Sequence, residues 1–386
     1  MTRRRVLLYV QHLLGIGHLR RVAALARACA EHGLNATVAS GGFPVAEIDL
    51  GGARLVQLPP LRSRDECFSG LVGPNGQAPD VAWLDRRRGL LLELFGEIRP
   101  HVLVIEMFPF GRRQLRFELL PLLDAVNAAV LKPWAVSSVR DVLTARTPKR
   151  TAEAASWARQ RFDSVLVHGD PSVVRFEESF PAAADIADKI FYTGYVADPP
   201  GRPEGPGAPG WNEVVVSAGG GAVGETLLRT ALEARPLSQA GSKRKWRLLA
   251  GGNMPAELVA ALAATAPDGI IVERARPDFA DLLANCAASI SQGGYNTVIA
   301  IVQARARAVI VPFARGGQTE QSMRTARFEA LGLVRCVDER YLTPARLAAA
   351  VDAELTGQRP RGGGIAVDGA ERSAALIAGW AERGDE

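Results

Sequence analysis

The sequence predicts an α/β protein made of two doubly wound domains, each with a parallel sheet. Short apolar runs alternate with stretches of helical periodicity along most of the chain, as in sheets that helices cover on both faces. One segment, residues 198–210, is dense in Pro and Gly and has no hydrophobic period, and the alternation resumes after it. A chain of 386 residues is also long for a single core, which favours two domains.

The first domain is predicted over residues 1–197. Its candidate strands are the apolar runs Val6–Val10, Ala36–Ser40, Leu55–Leu58, Val102–Ile105, Ala135–Ser138, Val165–Val167 and Ile190–Tyr192. Helical periodicity is clearest over His18–His32, Val81–Ile98 and Leu115–Ala129. The first run follows a basic N-terminus, but Gln11 and His12 end it early, which favours a buried strand over a signal peptide.

A linker at residues 198–211 precedes the second domain, which is predicted over residues 212–368. Its candidate strands are Val214–Ser217, Arg247–Ala250, Ile270–Glu273, Ala288–Ser291, Ala308–Val311 and Val334–Val337. Helices are predicted over Glu225–Ala234 and Asn296–Ala304, and a terminal helix over residues 369–386. Because open α/β sheets bind ligands at the carboxyl ends of their strands, we expect the two domains to face a central cleft that holds the site.

Composition narrows the classes of partner. The formal net charge is +5, but the two tight basic clusters, Arg86–Arg88 and Lys243–Lys245, lack interleaved aromatic residues, so no nucleic acid is expected. A mildly basic surface suits an anionic substrate or an anionic membrane face. No apolar run is long enough to span a bilayer. The four cysteines form no metal-binding pair and indicate free thiols in a reducing, cytoplasmic compartment.

A glycine-flanked histidine follows the first predicted strand. In the motif GIGHLRR, Gly15 and Gly17 allow a sharp turn, and His18 opens the first helix. The positive end of a helix disfavours the imidazolium, so a neutral His18 is a candidate general base. A helix-capping or core histidine is the structural alternative. Arg20 either reaches an anionic group of the acceptor or lies on a solvated helix face.

Two further strand ends carry polar residues. Glu106 ends the fourth predicted strand and begins the motif EMFPFGRR. Its carboxylate is expected to orient His18, to act as the base itself, or to form a salt bridge with an arginine. The motif SVRD leaves the next strand, and we expect its Arg140 on the acceptor side.

Two glycine-rich turns in the second domain precede helices. The turn SAGGGAVG spans residues 217–224, and the stretch 291–321 holds a Gly-Gly pair before a helix and a polar loop after the next strand. Consecutive glycines ahead of a helix let backbone N–H groups approach a phosphate. Plain strand-to-helix turns are the alternative. Because the turns carry no Walker lysine and no GxGxxG pattern, neither an ATPase nor a nicotinamide-binding protein is indicated.

With these motifs in order along it, the chain resembles the GT-B glycosyltransferases. GIGHLRR, EMFPFGRR, SxRD, YTGYV at Tyr192–Val196, GGYNT and a Glu-Gln pair are similar to motifs of family 28, which includes the enzyme that makes the lipid-linked peptidoglycan disaccharide. More narrowly, they resemble a bacterial group of predicted glycosyltransferases. The resemblance covers nearly the whole chain. It implies a GT-B fold of two Rossmann-like domains, with the acceptor in the first and a nucleotide-sugar donor in the second.

The resemblance also implies roles for individual residues. The nucleotide diphosphate, expected to be UDP-linked, would be surrounded by Gly219, Gly220, Gly221, Gly293, Gly294, Asn296 and Thr297, and the donor sugar held by Glu320 and Gln321. His18 and Glu106 would be catalytic, and the acceptor would meet Gly15, Gly17, Arg20, Phe110, Arg112 and Arg140. Enzymes of this kind need no cofactor and no bound metal, since helix dipoles and backbone N–H groups stabilise the leaving diphosphate.

One position departs from the family pattern. The donor helix usually carries a glutamate for the ribose hydroxyls three residues after the threonine of GGYNT, and this chain has Ala300 there. Losing that charged hydrogen bond would cost about 1.5–3 kcal/mol of donor affinity unless another group replaces it. Gln303 is the nearest substitute along the helix. The identity of the nucleotide base therefore stays open.

The sequence thus predicts a metal-independent inverting glycosyltransferase. It would move a sugar from a nucleotide-diphosphate donor to a small-molecule or lipid-linked acceptor, and peripheral contact with a membrane stays open. A nucleotide-sugar hydrolase, which would use His18 to activate water, is the second hypothesis. A degenerate, non-catalytic protein that binds nucleotide sugars is the third, and Ala300 is its only support.

Overall fold

The structure is a computed structural model that describes residues 3–46, 48–65, 69–219, 224–252, 254–313, 319–359 and 364–383. The chain divides into two compact units. The first is Met1–Val196 together with Ala366–Glu386, and the second is Ala197–Ile365. Each unit is built on a parallel sheet with helices against it, so the predicted α/β class is confirmed.

The elements are numbered along the chain. The strands are β1 (Arg5–Val10), β2 (Asn35–Ser40), β3 (Arg54–Gln57), β4 (Arg62–Ser63), β5 (Leu71–Val72), β6 (Val102–Glu106), β7 (Trp134–Arg140), β8 (Ser164–His168), β9 (Ile190–Tyr192), β10 (Val214–Ser217), β11 (Trp246–Ala250), β12 (Ile270–Arg274), β13 (Ala288–Ser291), β14 (Ala308–Ile310) and β15 (Arg335–Cys336). The α-helices are α1 (Gly17–Glu31), α2 (Val81–Ile98), α3 (Arg116–Ala128), α4 (Pro148–Arg161), α5 (Glu225–Ala234), α6 (Ala256–Ala264), α7 (Phe279–Asn285), α8 (Tyr295–Gln303), α9 (Glu320–Ala330), α10 (Pro344–Thr356) and α11 (Gly369–Arg383).

The first unit holds a seven-stranded parallel sheet in the order β3-β2-β1-β6-β7-β8-β9. The order reverses between β1 and β6, which pair in parallel. Residues of β1 are buried on both faces of the sheet, with α1 and α11 on one side and α2 and α3 on the other. Because both faces of the sheet are covered by helices, its central strands are continuous apolar runs in the sequence. The strands β4 and β5, which the sequence did not predict, form a separate antiparallel pair.

The C-terminal helix α11 belongs to the first unit. It packs against α1, and its Trp380 stacks on Trp134 of β7 with ring centroids 6.1 Å apart and an interplanar angle of 14°. The carboxylate of Asp170 accepts a hydrogen bond from the backbone N–H of Ala366, at the start of the returning segment. The helix thus completes the core of the first unit.

The second unit holds a six-stranded parallel sheet in the order β12-β11-β10-β13-β14-β15. Here the order reverses between β10 and β13. Its core is formed by β10, β11, β13 and β14 with α5 and α10 against them. Both sheets therefore have the switch in strand order at which open α/β sheets bind ligands.

The segment predicted as a flexible linker is held against α7 in the second unit. The backbone N–H groups of Arg202 and Glu204 donate to the side chains of Asp281 and Asn285, both at 2.9 Å. A Cβ at Gly201 would lie 1.9 Å from the carbonyl oxygen of Ala280. The glycine at this position therefore permits close packing of two backbones.

Candidate functional site

The first candidate site lies at the strand-order switch of the first sheet. Gly17 and His18 begin α1 directly after the loop that leaves β1, and Glu106 is the last residue of the adjacent β6. Parallel strands direct both ends to the same edge, and the His18 Nδ1 atom lies 2.9 Å from Glu106 Oε1. The structure therefore brings the two predicted catalytic residues into contact.

Glu106 is a buried, ionised carboxylate. Its Oε1 accepts hydrogen bonds from the Nε and Nη2 atoms of Arg21, and its Oε2 accepts one from the Ser138 hydroxyl. Burial by itself would raise the pKa of Glu106, but the charge of Arg21 and the hydrogen bond from His18 outweigh it and hold the pKa well below its usual range. Glu106 thus fills two of its predicted roles, since it orients His18 and pairs with an arginine. It is poorly suited to the third role, that of the base itself, because it is ion-paired and only 1% exposed.

His18 is a neutral imidazole held in one orientation. Burial, followed by the nearby charge of Arg112, lowers the pKa of His18 to about 3. We assign the proton to Nδ1, because the ionised Glu106 accepts a hydrogen bond there, although the Arg21 guanidinium also lies 3.1 Å from that nitrogen. Nε2 then carries the lone pair. The His18 side chain is 17% exposed, so this is a partly accessible proton acceptor oriented by a carboxylate.

A buried hydrogen-bonded chain continues behind Glu106. The Ser138 hydroxyl lies 2.8 Å from His168 Nε2, and His168 Nδ1 lies 2.9 Å from the Thr193 hydroxyl. Because Ser138 donates to Glu106, its oxygen accepts from His168 Nε2–H, and His168 Nδ1 accepts from Thr193. Burial lowers the pKa of His168 to about 3, so it remains neutral within this chain. His168 was not predicted as a site residue, because its only signal in the sequence is a polar residue at the end of a strand.

The predicted acceptor residues have different environments. Arg112 is half-buried, and its Nε donates to the Gln11 carbonyl oxygen at 2.8 Å. Arg140, the last residue of β7, is also half-buried. Arg20 is exposed on α1, and Gly15 has open space where a side chain would be.

The structure corrects the prediction for Phe110. This side chain is fully buried and packs edge-on against Phe176 and Phe180, with ring centroids 5.4 and 5.0 Å away. Burial of an aromatic ring among others is strongly favourable, and the turn after β6 directs this ring inward. Phe110 is therefore a core residue in this structure and has no surface with which to contact an acceptor.

The second candidate site lies at the strand-order switch of the second sheet. Ser217 of β10 pairs in register with Ser291 of β13, so the two predicted glycine turns leave neighbouring strand ends. Gly219 has a φ of +73°, which favours glycine, and Gly224 precedes α5 with a φ of +115°. The predicted residues Gly220 and Gly221 lie outside the described residues.

The turn at Gly293 packs closely against α9. A Cβ at Gly293 would lie 2.8 Å from the Thr325 hydroxyl and 3.2 Å from Gln321 Cβ. Arg324 is fully buried, donates to the Gly293 carbonyl oxygen at 3.3 Å, and places its guanidinium 5.4 Å from the centroid of the Tyr295 ring. Arg324, which was not predicted from the sequence, thus stabilises the glycine turn through a buried hydrogen bond.

The remaining predicted donor residues lie at the same edge. Gly294 is the N-cap of α8, and the half-buried Asn296 and Thr297 are in its first turn. Glu320 and Gln321 begin α9, where the Gln321 Oε1 atom accepts a hydrogen bond from the Phe313 backbone N–H at 3.0 Å. The two glycine turns and the Glu-Gln pair, which are distant in sequence, therefore follow three adjacent strands, β10, β13 and β14.

Neither a metal-binding cluster nor a membrane-spanning helix occurs among the described residues. No group of three or more His, Cys, Asp or Glu side chains in the described ranges is arranged to hold a metal ion. None of the helices in those ranges combines the length and the apolar character needed to cross a membrane.

The chain is similar to glycosyltransferases in one family model and in several solved structures. Residues 214–360 match the model of the glycosyltransferase family 28 C-terminal domain, and no curated protein matches the chain. Among solved structures, the calicheamicin glycosyltransferase CalG4 is 18% identical with a TM-score of 0.61, over 100% of this chain and 97% of that one. MurG of Acinetobacter baumannii is 13% identical with a TM-score of 0.56, over 97% and 99% of the two chains. The glycosyltransferase VinC, solved in complex with dTDP, is 16% identical with a TM-score of 0.57, over 98% and 95%.

These likenesses extend over both units and bear out the GT-B fold, while the family match covers most of the second unit, including both glycine turns. The chain therefore has the GT-B fold, and its residues 214–360 match the glycosyltransferase family 28 C-terminal domain.

Proposed function

We propose that the protein is an inverting glycosyltransferase that transfers a sugar from a nucleoside-diphosphate donor to an acceptor hydroxyl without a bound metal. The observation that carries the proposal is the hydrogen bond between His18 and the ionised Glu106 at a strand-order switch. That arrangement supports a general base whose Nε2 is available to a nucleophile.

In the proposed reaction the acceptor oxygen attacks C1 of the donor sugar in a single displacement. The bond between C1 and the diphosphate oxygen breaks as the new C1–O bond forms, and the hydroxyl proton moves to His18 Nε2. Glu106 stabilises the resulting imidazolium through Nδ1–H. A positioned base of this kind contributes roughly 10²–10⁴-fold to the rate.

The donor diphosphate is proposed to bind at the glycine turns of the second unit. The helices α5 and α8 begin there, and their N-terminal N–H groups and positive dipole ends would stabilise the leaving diphosphate. Glu320 and Gln321 would hold the sugar hydroxyls. We propose a donor linked to UDP, as the resemblance implies, or to dTDP, the nucleotide present in the VinC structure. The second nucleotide is included because α8 carries Ala300 in place of the family's ribose-binding glutamate.

The acceptor is proposed to bind the first unit, at the edge that holds His18. Free thiols at Cys29, Cys286 and Cys336 support a reducing compartment, so we propose that the reaction occurs in the cytoplasm, where an acceptor could also be presented by a membrane.

Binding and turnover assays test the proposal in sequence. UDP, dTDP, GDP and ADP are titrated against the purified protein by thermal shift, since a ligand of the folded state raises the Tm. Sugars linked to the strongest binder are then assayed for release of the nucleoside diphosphate. We expect one uracil or thymine nucleotide to bind most tightly. Failure of every nucleotide and nucleotide sugar to bind would overturn the proposal, and full turnover without any acceptor would assign hydrolysis instead of transfer.

A further inference from the structure

We propose that Arg112, Arg140 and Arg146 form a binding site for a phosphate-type anionic group of the acceptor. This inference rests on the proposed function, which it deepens by naming a chemical class for the acceptor. Nothing in the match to the family 28 domain covers these residues, because that match begins at residue 214.

The fold collects the three arginines at one edge of the first sheet. Arg112 lies in the turn after β6, Arg140 ends β7, and Arg146 lies between β7 and α4. The strands β6 and β7 are adjacent and parallel, so these residues follow neighbouring strand ends. Glu106 ends β6 at the same edge, and it contacts His18. An anion held there would thus lie beside the proposed base.

The positive charge of Arg140 acts on both Arg112 and Arg146, and all three side chains are half-buried. Burial, and after it the charge of Arg140, lowers the pKa of Arg112 to about 10. Burial, and after it the charges of Arg140 and Arg150, lowers the pKa of Arg146 to about 10. Glu106 offsets part of this repulsion at Arg112, but it is already ion-paired with Arg21.

Arg146 is the most informative member of the cluster. In the part of the chain that the structure describes, it makes no ion pair with a carboxylate, and only like charges act on it at short range. A half-buried cation with two cationic neighbours, Arg140 and Arg150, destabilises the fold. Proteins retain such a cost mainly where a function requires it. Arginine forks bind phosphate oxygens in a bidentate manner, so an anionic ligand would relieve the repulsion.

The neighbouring helix adds a second feature that suits phosphate. The 14-residue helix α4 begins at Pro148, two residues after Arg146, and its N-cap Thr147 accepts a hydrogen bond from the Arg150 backbone N–H. The positive end of α4 therefore lies close to Arg146, where it favours anions.

Anion binding would also act on the proposed base. After burial, the charge of Arg112 is the main cause that lowers the pKa of His18. A bound anion screens that charge and raises the pKa of His18 toward the working pH, where a general base is most effective. The acceptor would therefore activate the base that deprotonates it.

Charge changes at Arg146 separate this role from a structural one. The full-length protein is titrated with inorganic phosphate by thermal shift, as wild type and as Arg146→Gln and Arg146→Glu, with the exposed Arg116→Gln as a matched control. We expect both Arg146 variants to melt at or above the wild-type Tm without ligand, because repulsion is relieved. We also expect them to lose most of the phosphate-induced rise in Tm, which Arg116→Gln should keep. A lower Tm without ligand together with an unchanged phosphate response would overturn the proposal.

Two further arms complete the test. Sedimentation with phosphatidylglycerol vesicles, compared with phosphatidylcholine vesicles, distinguishes an anion carried by a lipid from a soluble one. If the wild type sediments with phosphatidylglycerol and Arg146→Gln does not, the anion belongs to a lipid. If the protein responds to phosphate but does not sediment, the anion belongs to a soluble acceptor. UDP and dTDP are titrated on the same variants. If neither nucleotide binds while the phosphate response depends on Arg146, the proposed function fails and the anion site stands. The reverse pattern removes the anion site alone.

Discussion

The imidazole of His18 and the carboxylate of Glu106 form a hydrogen bond of 2.9 Å between residues 88 positions apart in the chain. Arg21 and Ser138 bind the same carboxylate, so its position is determined from three sides. The pair therefore has a fixed geometry before any ligand binds, which is the property that general-base catalysis requires.

Replacing the base should affect turnover far more than folding. We expect His18→Ala to lower kcat by about 10²–10⁴-fold, because the acceptor hydroxyl loses its proton acceptor. The measurement is steady-state release of nucleoside diphosphate, with Tm recorded for the same preparations. A variant that keeps wild-type kcat would exclude His18 as the base, and one that no longer folds would show that its main role is in the core.

Buried neutral histidines predict a loss of stability in acid. Burial lowers the pKa of His168 from an ordinary value of 6.5 to about 3 in the folded protein. The pKa of His18 is lowered to about 3 as well. Between these values the unfolded chain binds protons that the folded chain does not, so stability falls as the pH drops from 6.5 toward 3. Each such group contributes at most about 1.4 kcal/mol per pH unit. In His168→Asn, urea unfolding from pH 8 to pH 4 should show a shallower decline, and an identical slope would contradict a neutral buried His168.

The close packing at Gly293 predicts a position-specific clash. Gly293→Ala places a methyl group 2.8 Å from the Thr325 hydroxyl, on the turn proposed to bind the donor diphosphate. We expect a lower Tm and weaker nucleotide binding, by about 1–3 kcal/mol in stability, as for other overpacked sites. Gly294→Ala is the matched control for stability, since its methyl group would be 3.9 Å from its nearest neighbour. Equal Tm values for the two variants would show that the turn adjusts freely.

The residue at position 300 should control discrimination between nucleotides. Ala300→Glu restores the family's glutamate on α8, and a charged hydrogen bond contributes about 1.5–3 kcal/mol. We expect this variant to tighten UDP binding more than dTDP binding, because deoxyribose lacks one of the two hydroxyls. Calorimetric titration of both nucleotides measures the effect, with Ala300→Gln as the uncharged control. If neither affinity changes, α8 does not reach the ribose.

A buried arginine is expected to be essential for the stability of the first unit. Arg87 is fully buried, pairs with Glu118 at 2.6 Å, and donates to the carbonyl oxygens of Gly41 and Pro59 in the loops after β2 and β3. Arg87→Leu leaves Glu118 charged and buried, which should cost about 3–5 kcal/mol. Urea unfolding measures this loss of stability, with the exposed Arg86→Leu as control. A loss below about 1 kcal/mol would mean that water or other groups satisfy Glu118.

Much of the architecture could be predicted because its core strands are buried on both faces. Such strands are continuous apolar runs in the sequence, as at Val6–Val10 and Val214–Ser217. The bounds of both observed strands agree with these predicted runs to within one residue. The ends of those strands then indicated His18 and Glu106, since ligands bind open sheets there.

The features that the sequence did not reveal depend on contacts between distant residues. Arg87 and Arg324 are buried, whereas arginine is usually exposed. Their hydrogen-bond partners, Glu118 and Gly293, are each 31 positions away, too far for a local sequence pattern to indicate the contact. Phe110 was assigned to the acceptor from a motif, but its ring packs against Phe176, which lies 66 positions further along. The Pro- and Gly-rich segment 198–210 has the composition of a flexible linker, yet its backbone is bonded to α7.

The anomeric configuration of the first product tests the central claim most directly. Turnover of a nucleotide sugar, with an acceptor hydroxyl or water as nucleophile, is followed by proton NMR before the product mutarotates. A single displacement with His18 as base predicts a product of inverted configuration at C1 from the wild type and almost no product from His18→Ala. Retention of configuration, or inversion at an undiminished rate in His18→Ala, would contradict the account.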